Sequence, residues 1–319
     1  MILITGSTGF VGMNLLQKLT KNNIKVVAIY RSEEKKKIVE DFLKQTNSKY
    51  KNIIWRRSDI NDIIGLEEVF NGITHVYHCA GYISFSISDE KELNKVNVGG
   101  TKNIVNLCID KKILKLIYLS SISALGEELD GVEVNETTNF NRSQNKTPYS
   151  CSKHNAELEV WRGIEEGLKS VIINPGIIMG ESIKDDTPQA KIEKMITQSP
   201  FCFFTKGGSG FVNINDVVEA SIRLMNSSIS NERFILVEEN YSYKLIIENL
   251  KKRLKIRKML ISINKPVLNL ILCFDLVLSF IGLKKRYMSL SLIKSVFNQK
   301  RYNGDKIIKF LPNFNYKKV

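Results

Sequence analysis

In the segment YSCSK, Tyr149 and Lys153 stand four positions apart. On a helix this spacing sets a phenol and an ammonium side by side, where the cation can favour the phenolate of a group whose free pKa is about 10. In a lysine-rich chain with 11 tyrosines, a solvated surface pair of this kind is the alternative. A second chemical signature lies at the start, where ITGSTGFVGMNLLQKL spaces Gly6, Gly9 and Gly12 three apart. Gly6 would permit a tight turn, Gly9 would let backbone N–H groups approach a pyrophosphate, and Gly12 would let the following helix pack closely. The phosphate would rest on the helix N-terminus, where unpaired N–H groups and the macrodipole favour an anion. The spacing is G-x-x-G-x-x-G rather than G-x-G-x-x-G, and a merely structural turn is the other reading.

The elements that must position these residues alternate along the chain. MILIT, KVVAIY, NIIWRRSD, HVYHCAG, KLIYLSS and SVIINPG are apolar, mostly β-branched runs of strand length, separated by segments long enough for helices. Such alternation predicts an α/β fold, a Rossmann doubly wound parallel sheet with right-handed crossovers and helices on both faces. Residues 1–180 would form the dinucleotide-binding domain, with about 211–235 returning to it. Residues 181–319 would form a smaller substrate lobe. Ligands of such sheets bind beyond the carboxyl ends of the strands, where the candidate residues cluster. After the second strand, Tyr30 and Arg31 stand where an NAD-binding chain usually offers a carboxylate to the adenosine ribose. Arg31 can instead clamp a 2′-phosphate, aided by Lys35 or Lys36, which favours NADP; Glu33 keeps NAD open.

With YLSSISALG at the fifth strand, NVGGT at 97–101, NPG at 174–176 and FVNINDV at 211–217, the chain resembles the extended short-chain dehydrogenase/reductase family from Met1 to about Asp216. Within it, the chain is similar to the branch holding dihydroflavonol reductases, cinnamoyl-CoA reductases and 3β-hydroxysteroid dehydrogenases. The resemblance implies that Tyr149 is the general acid toward a carbonyl oxygen, that Lys153 tunes it and orients the nicotinamide ribose, and that Ser121 bonds the substrate oxygen. Ser120 and Ser123 are neighbours of similar type, and Ser123 also enters as a substrate contact. The cofactor would lie on Gly6, Thr8, Gly9, Phe10, Val11 and Gly12, on Arg31, and on Asp59 with Ile60. It would continue along Cys79, Ala80 and Gly81 to Tyr149 and Lys153, with Pro175 and Ile178 at the nicotinamide. Asn97 would support the active site. His75 and His78 read as packed or capping histidines, since the tyrosine already fills the acid–base role.

Nucleotide-sugar epimerases and dehydratases of this family usually carry an arginine before the FVNINDV element. Here Ser209 occupies that place, with Lys206 nearby as a partial substitute. The departure favours a carbonyl reductase acting on a small, largely apolar substrate, with a nucleotide-sugar epimerase or dehydratase as runner-up and a non-catalytic dinucleotide-binding regulator as a further alternative. YISFSI, residues 82–87, could line an apolar pocket with Tyr82, Ile83 and Phe85, or simply pack as a loop.

At 319 residues and 43% hydrophobic content the chain can bury a sizeable core. Five cysteines without a CxxC pair suit reduced thiols and argue against zinc, so no metal is expected. The chain opens directly on an apolar strand with no basic leader, and a cytoplasmic protein is expected. Charge is uneven: residues 244–319 hold 18 Lys and Arg against 3 Asp and Glu, leaving 29 against 30 in the rest. Within that basic quarter PVLNLILCFDLVLSFIGL, 266–283, is strongly apolar, with Asp275, Ser279 and Gly282 marking a more polar stripe. A cap on the substrate lobe, an interfacial helix on an anionic membrane and a true span are its readings, in that order. Asp275 would cost a span about 2.5–3.5 kcal/mol. No nucleic-acid motif accompanies the charge. A homodimer is compatible with the sequence.

Overall fold

The computed structural model describes residues 1–46, 50–127, 131–141, 146–181, 187–280 and 289–319. All six expected runs become strands: β1 Ile2–Thr5, β2 Val26–Tyr30, β3 Ile53–Arg57, β4 His75–His78, β5 Lys115–Leu119 and β6 Ser170–Pro175. The later strands are shorter or lie apart from that alternation: β7 Ile177–Met179, β8 Cys202–Phe204, β9 Gly208–Asn213, β10 Glu232–Leu236, β11 Glu239–Ser242 and β12 Leu260–Ser262. The central sheet is entirely parallel in the order β10-β6-β5-β4-β1-β2-β3. All five residues of β2 and all six of β6 are buried, as expected of strands covered on both faces.

The helices, in chain order, are α1 Phe10–Lys21, α2 Glu33–Gln45, α3 Ile63–Val69, α4 Glu90–Leu93, α5 Gly100–Asp110 and α6 Pro148–Glu165. They continue with α7 Pro188–Gln198, α8 Ile214–Met225, α9 Tyr243–Arg253, α10 Lys265–Phe280, α11 Leu290–Phe297 and α12 Lys306–Phe310. Leu15, Leu19, Val39, Val217 and Leu224 from α1, α2 and α8 pack on one face of the sheet. Leu66, Ile104, Leu107, Ala156 and Val160 from α3, α5 and α6 pack on the other. Consecutive strands run outward from β1 to β3 on one side and from β4 to β6 on the other, so the order reverses between β1 and β4. A crevice opens at such a reversal, and the glycine turn after β1 and Cys79–Gly81 after β4 both border it.

Two small sheets extend the molecule beyond this frame, β11-β9-β7 and β12-β8. Met179, Ile196, Cys202, Phe211, Ile247 and Leu250 form a separate cluster beneath them. Helix α10 turns Leu272 and Asp275 inward, at 5% and 2% exposure, while Val267, Leu270 and Ile271 face outward at 50%, 59% and 43%. The polar stripe expected on this helix therefore begins on its inner side. Residues 281–283 of the apolar run lie outside the described residues. Among the described residues, no helix is long and apolar enough to cross a membrane.

Candidate active site

Gly6 sits at φ +64°, and a Cβ there would come within 2.6 Å of the Ala80 backbone nitrogen, so the turn presses directly on the end of β4. The Gly9 N–H closes the turn by donating to Gly6 O at 2.8 Å. A Cβ at Gly12 would stand 2.3 Å from that same oxygen, so Gly12 serves the turn's own closure as much as packing on the strand. Ser7 Oγ donates to Ile29 O at 2.5 Å and pins the turn to β2. Helix α1 follows with Gly9 as its N-cap, no side-chain cap and no acidic residue in its first turn. Among the described residues no side chain caps its N-terminal N–H groups, an arrangement that fits a pyrophosphate. Phe10, Val11 and Thr8 belong to this turn and to the first residues of α1.

At the ends of β2 and β3, Arg31 Nη1 lies 3.2 Å from Asp59 Oδ2. Partial burial opposes ionisation of Asp59, but the Asn61 N–H and Arg31 outweigh it and hold the carboxyl below its ordinary value. One place therefore offers both a guanidinium for a 2′-phosphate and a carboxylate for a ribose hydroxyl. Lys36 is drawn off to Glu33 and the Tyr30 ring, and Lys35 gives its backbone N–H to the Ser32 cap. Ile60 is buried, and a Cβ on Gly100 would meet its Cδ1 at 2.3 Å, so its side chain belongs to the core. Past β4, the Cys79 N–H donates to Thr5 O and the Ala80 N–H to Thr5 Oγ1. Burial pushes the Cys79 thiol up to about 12, leaving it protonated.

Helix α6 carries the phenol and the ammonium. Its start is fixed by Thr147, whose hydroxyl accepts from the Ser150 N–H, and by Pro148 in the first turn. Burial pushes Tyr149 up to about 12, and a hydrogen bond with Ser121 acts in the opposite sense. Ser121 also receives the Ser123 hydroxyl at 2.9 Å. Ser120 is directed elsewhere: its hydroxyl donates to Glu157, which is fully buried and also receives Asn174 and Arg233. Lys153 Nζ donates to Tyr118 Oη at 3.0 Å and to Leu119 O at 2.9 Å. Burial lowers its pKa to about 8, against the opposing pull of Glu157. The structure thus joins Ser121 and Tyr149 directly and holds Lys153 one turn on, anchored to the end of β5. Pro175 is buried at the end of β6, and Ile178 follows in β7, partly buried against the core.

His78 is buried between Thr5 Oγ1 at 2.6 Å and Thr101 Oγ1 at 3.0 Å, and burial drives its pKa down to about 3. It is neutral and packed rather than a base. His75 bonds Thr74 at the opposite end of the same strand. Asn97 lies in a π-helical stretch, Asn94–Gly99, and its amide bridges Tyr82 N, Tyr82 O and Ser152 Oγ. Local π geometry recurs at functional sites, and here it ties the loop after β4 to α6. The two aromatics of that loop divide: Phe85 meets the Tyr149 ring edge-on at 5.8 Å, while Tyr82 turns its hydroxyl to Asp89 at 3.0 Å. Ile83 is 67% exposed. Ser209 is buried in β9, opposite Tyr241, and Lys206 is exposed. Tyr118 and Glu157 escaped the sequence reading, although Glu157 lies four residues beyond Lys153 on the same helix.

The profile of the NAD-dependent epimerase/dehydratase family matches residues 2–236. A dihydroflavonol 4-reductase of Dianthus caryophyllus is 26% identical over 247 residues, spanning 73% of this chain and 68% of the relative. A UDP-glucose 4-epimerase of Vibrio cholerae is 27% identical over 292 residues, spanning 86% and 80%. Among solved structures, the UDP-glucuronic acid 4-epimerase of Bacillus cereus, in complex with UDP-glucuronic acid and NAD, superposes with a TM-score of 0.77 at 18% identity, over 100% of this chain and 94% of that one. The matched span takes in the glycine turn, the Ser121–Tyr149–Lys153 group and the crevice they border, and with it the chain belongs to the NAD-dependent epimerase/dehydratase family, among the extended short-chain dehydrogenases/reductases.

Proposed function

We propose that this NAD(P)-dependent oxidoreductase prefers NADP(H) and interconverts a carbonyl and an alcohol on a small, largely apolar molecule. The observation that carries the reading is the Phe85 ring set edge-on against Tyr149, which gives the proton donor an apolar neighbour. The buried Ser209, in the place of the family's usual phosphate-binding arginine, supports it. When bound, the dinucleotide supplies hydride to the carbonyl carbon. Ser121 holds the carbonyl oxygen, and Tyr149 Oη gives it a proton in the reductive direction. Lys153 keeps one of its three N–H donors beyond Tyr118 and Leu119 O for the nicotinamide ribose, and its charge stabilises the phenolate that forms. Arg31 would take the 2′-phosphate by turning from Asp59.

A second reading, nucleotide-sugar epimerisation or dehydration, draws support from the Vibrio cholerae relative, whose match extends into the C-terminal lobe. A screen following NADPH absorbance with aromatic and aliphatic carbonyl compounds, run beside UDP-sugars assayed for epimers, separates the two. Turnover of carbonyls alone is expected; conversion of UDP-sugars alone would overturn the first reading. The proposal also includes weak peripheral contact of the outward face of α10 with anionic membrane.

A further inference from the structure

Beneath α11 lies a cavity of about 350 Å³, bounded by the first residues of α6, by Glu127 in the loop after β5 and by residues up to Lys300. Every residue lining it is polar. Lys146 has a side chain only 5% exposed, with its Nζ 3.0 Å from Glu127 Oε1. Lys300 Nζ approaches the same oxygen at 3.4 Å. Lys294, on the exposed face of α11, makes no ion pair among the described residues. Three lysines and one carboxylate therefore line the hollow, an excess of two positive charges among its described residues. The first turn of the 18-residue α6 adds its positive dipole end and the Ser150 hydroxyl, while Ser295 brings another from α11. Burial depresses the Lys146 pKa even with Glu127 beside it, so one shared carboxylate does not offset the desolvation of that ammonium.

We propose that this cavity is an oxyanion subsite for a phosphate or carboxylate group of a small molecule. Lys146 and Thr147 stand three and two positions before Tyr149, and Ser150 follows it. On the oxidoreductase reading, on which this step rests, the anion is the far end of the substrate, whose reacting end meets Tyr149 and Phe85. The hollow is modest in volume, about 350 Å³, which suits a charged group on a small molecule better than a polymer backbone.

The test begins with the full-length chain saturated with nicotinamide dinucleotide, so that the glycine turn and Arg31 take no free anion. Inorganic phosphate is then titrated by calorimetry at constant ionic strength, with chloride as the reference. Saturable phosphate binding is expected, weakened about tenfold in Lys294→Ala and in Lys146→Gln, the low end for losing a hydrogen bond to a charged group. Lys294 is exposed, so its variant keeps the test valid should Lys146→Gln fold poorly. Phosphate that binds no better than chloride, or equally well in folded variants, overturns the subsite. In a second arm, carbonyl compounds are offered as acid and as methyl ester, and Lys294→Ala should raise KM for the acid about tenfold more than for the ester. Equal shifts overturn the link to substrate. A chain that turns over no carbonyl refutes the oxidoreductase reading, while the phosphate titration still decides the subsite.

Discussion

The glycine turn between β1 and α1 presents backbone: closely packed glycines, a helix end without a side-chain cap, and neighbouring backbone that a Cβ on Gly6 or Gly12 would strike. The cavity beneath α11 presents side chains instead, with Lys146, Lys294 and Lys300 drawn from segments about 150 residues apart around Glu127. Backbone recognition tolerates almost any neighbouring side chains and can be written in a few consecutive residues. Side-chain recognition depends on what distant segments bring together, and so it can change substrate without disturbing the frame. Helix α6 joins the two, since it carries Tyr149 and Lys153 and begins two residues after Lys146. Substitutions on either side should therefore separate cofactor effects from chemistry.

The largest separation is expected at Tyr149. Tyr149→Phe keeps the ring against Phe85 but removes the proton, and turnover should fall by about 10² to 10⁴-fold, the usual share of general acid catalysis. Dinucleotide affinity, measured by fluorescence titration, should stay within about twofold, because the turn and the Arg31–Asp59 pair are untouched. Near-normal turnover would remove Tyr149 from the chemistry and break the division drawn above.

Next in size is Arg31. If its guanidinium takes the 2′-phosphate, Arg31→Ala should weaken NADPH by about 1.5–3 kcal/mol, the range for hydrogen bonds to charged groups, and leave NADH nearly unchanged. Asp59 would remain in the variant, relieved of its partner and able to accept a ribose hydroxyl, which keeps NADH binding in place. Equal losses for both dinucleotides would show that Arg31 shapes the loop rather than reading the phosphate.

The pH profile tests how α6 couples the two sides. Lys153 has a folded-state value near 8, lowered by burial, while Tyr149 stays protonated until about 12. As pH rises through about 8 the ammonium is lost while the phenol is kept, so kcat/KM for reduction should fall roughly tenfold per unit. Stability should respond in the opposite sense. Between about 8 and the ordinary lysine range the unfolded chain binds more protons at this position, so the penalty of burying the charge is full below 8 and is relieved as pH climbs. A Lys153→Met variant should lack that rise in stability. Activity that holds steady to pH 10 would show that the Lys153 charge is not needed.

How much of this was legible follows the same division. The six strands flanking the crevice, the glycine turn and the Tyr149–Lys153 pair are local patterns, and each lies where its residues predict. Strand β10 pairs with β6 through residues some 60 positions apart, and β7, β9 and β11 are three to six residues long, too short to carry a period. The Tyr82 hydroxyl meets Asp89 and the Ile60 side chain fills the space over Gly100, contacts that no local pattern announces. Ser120 and Ser121 cannot be told apart by type; strand alternation sends one to Glu157 and the other to Tyr149. The three lysines beneath α11 share no local signal, since their proximity is a product of the whole fold.

The smallest effect is expected at α10, where the usual helix rule is reversed. Asp275 and Leu272 face inward, while Val267, Leu270 and Ile271 are exposed. An outward apolar face in a quarter of the chain rich in lysine fits an anionic bilayer, to which each basic residue near the surface contributes about 1 kcal/mol. Cosedimentation with phosphatidylserine-containing vesicles should recover part of the chain at 0.1 M salt, where the Debye length is about 10 Å, and much less at 1 M, where it is about 3 Å. Leu270→Ser should reduce the bound fraction at low salt without touching a charge, which separates apolar insertion from simple electrostatic adhesion. Equal recovery in the supernatant with neutral and anionic vesicles at low salt would leave the exposed face to another occupant. The contrast between backbone and side-chain recognition would then end at the substrate lobe.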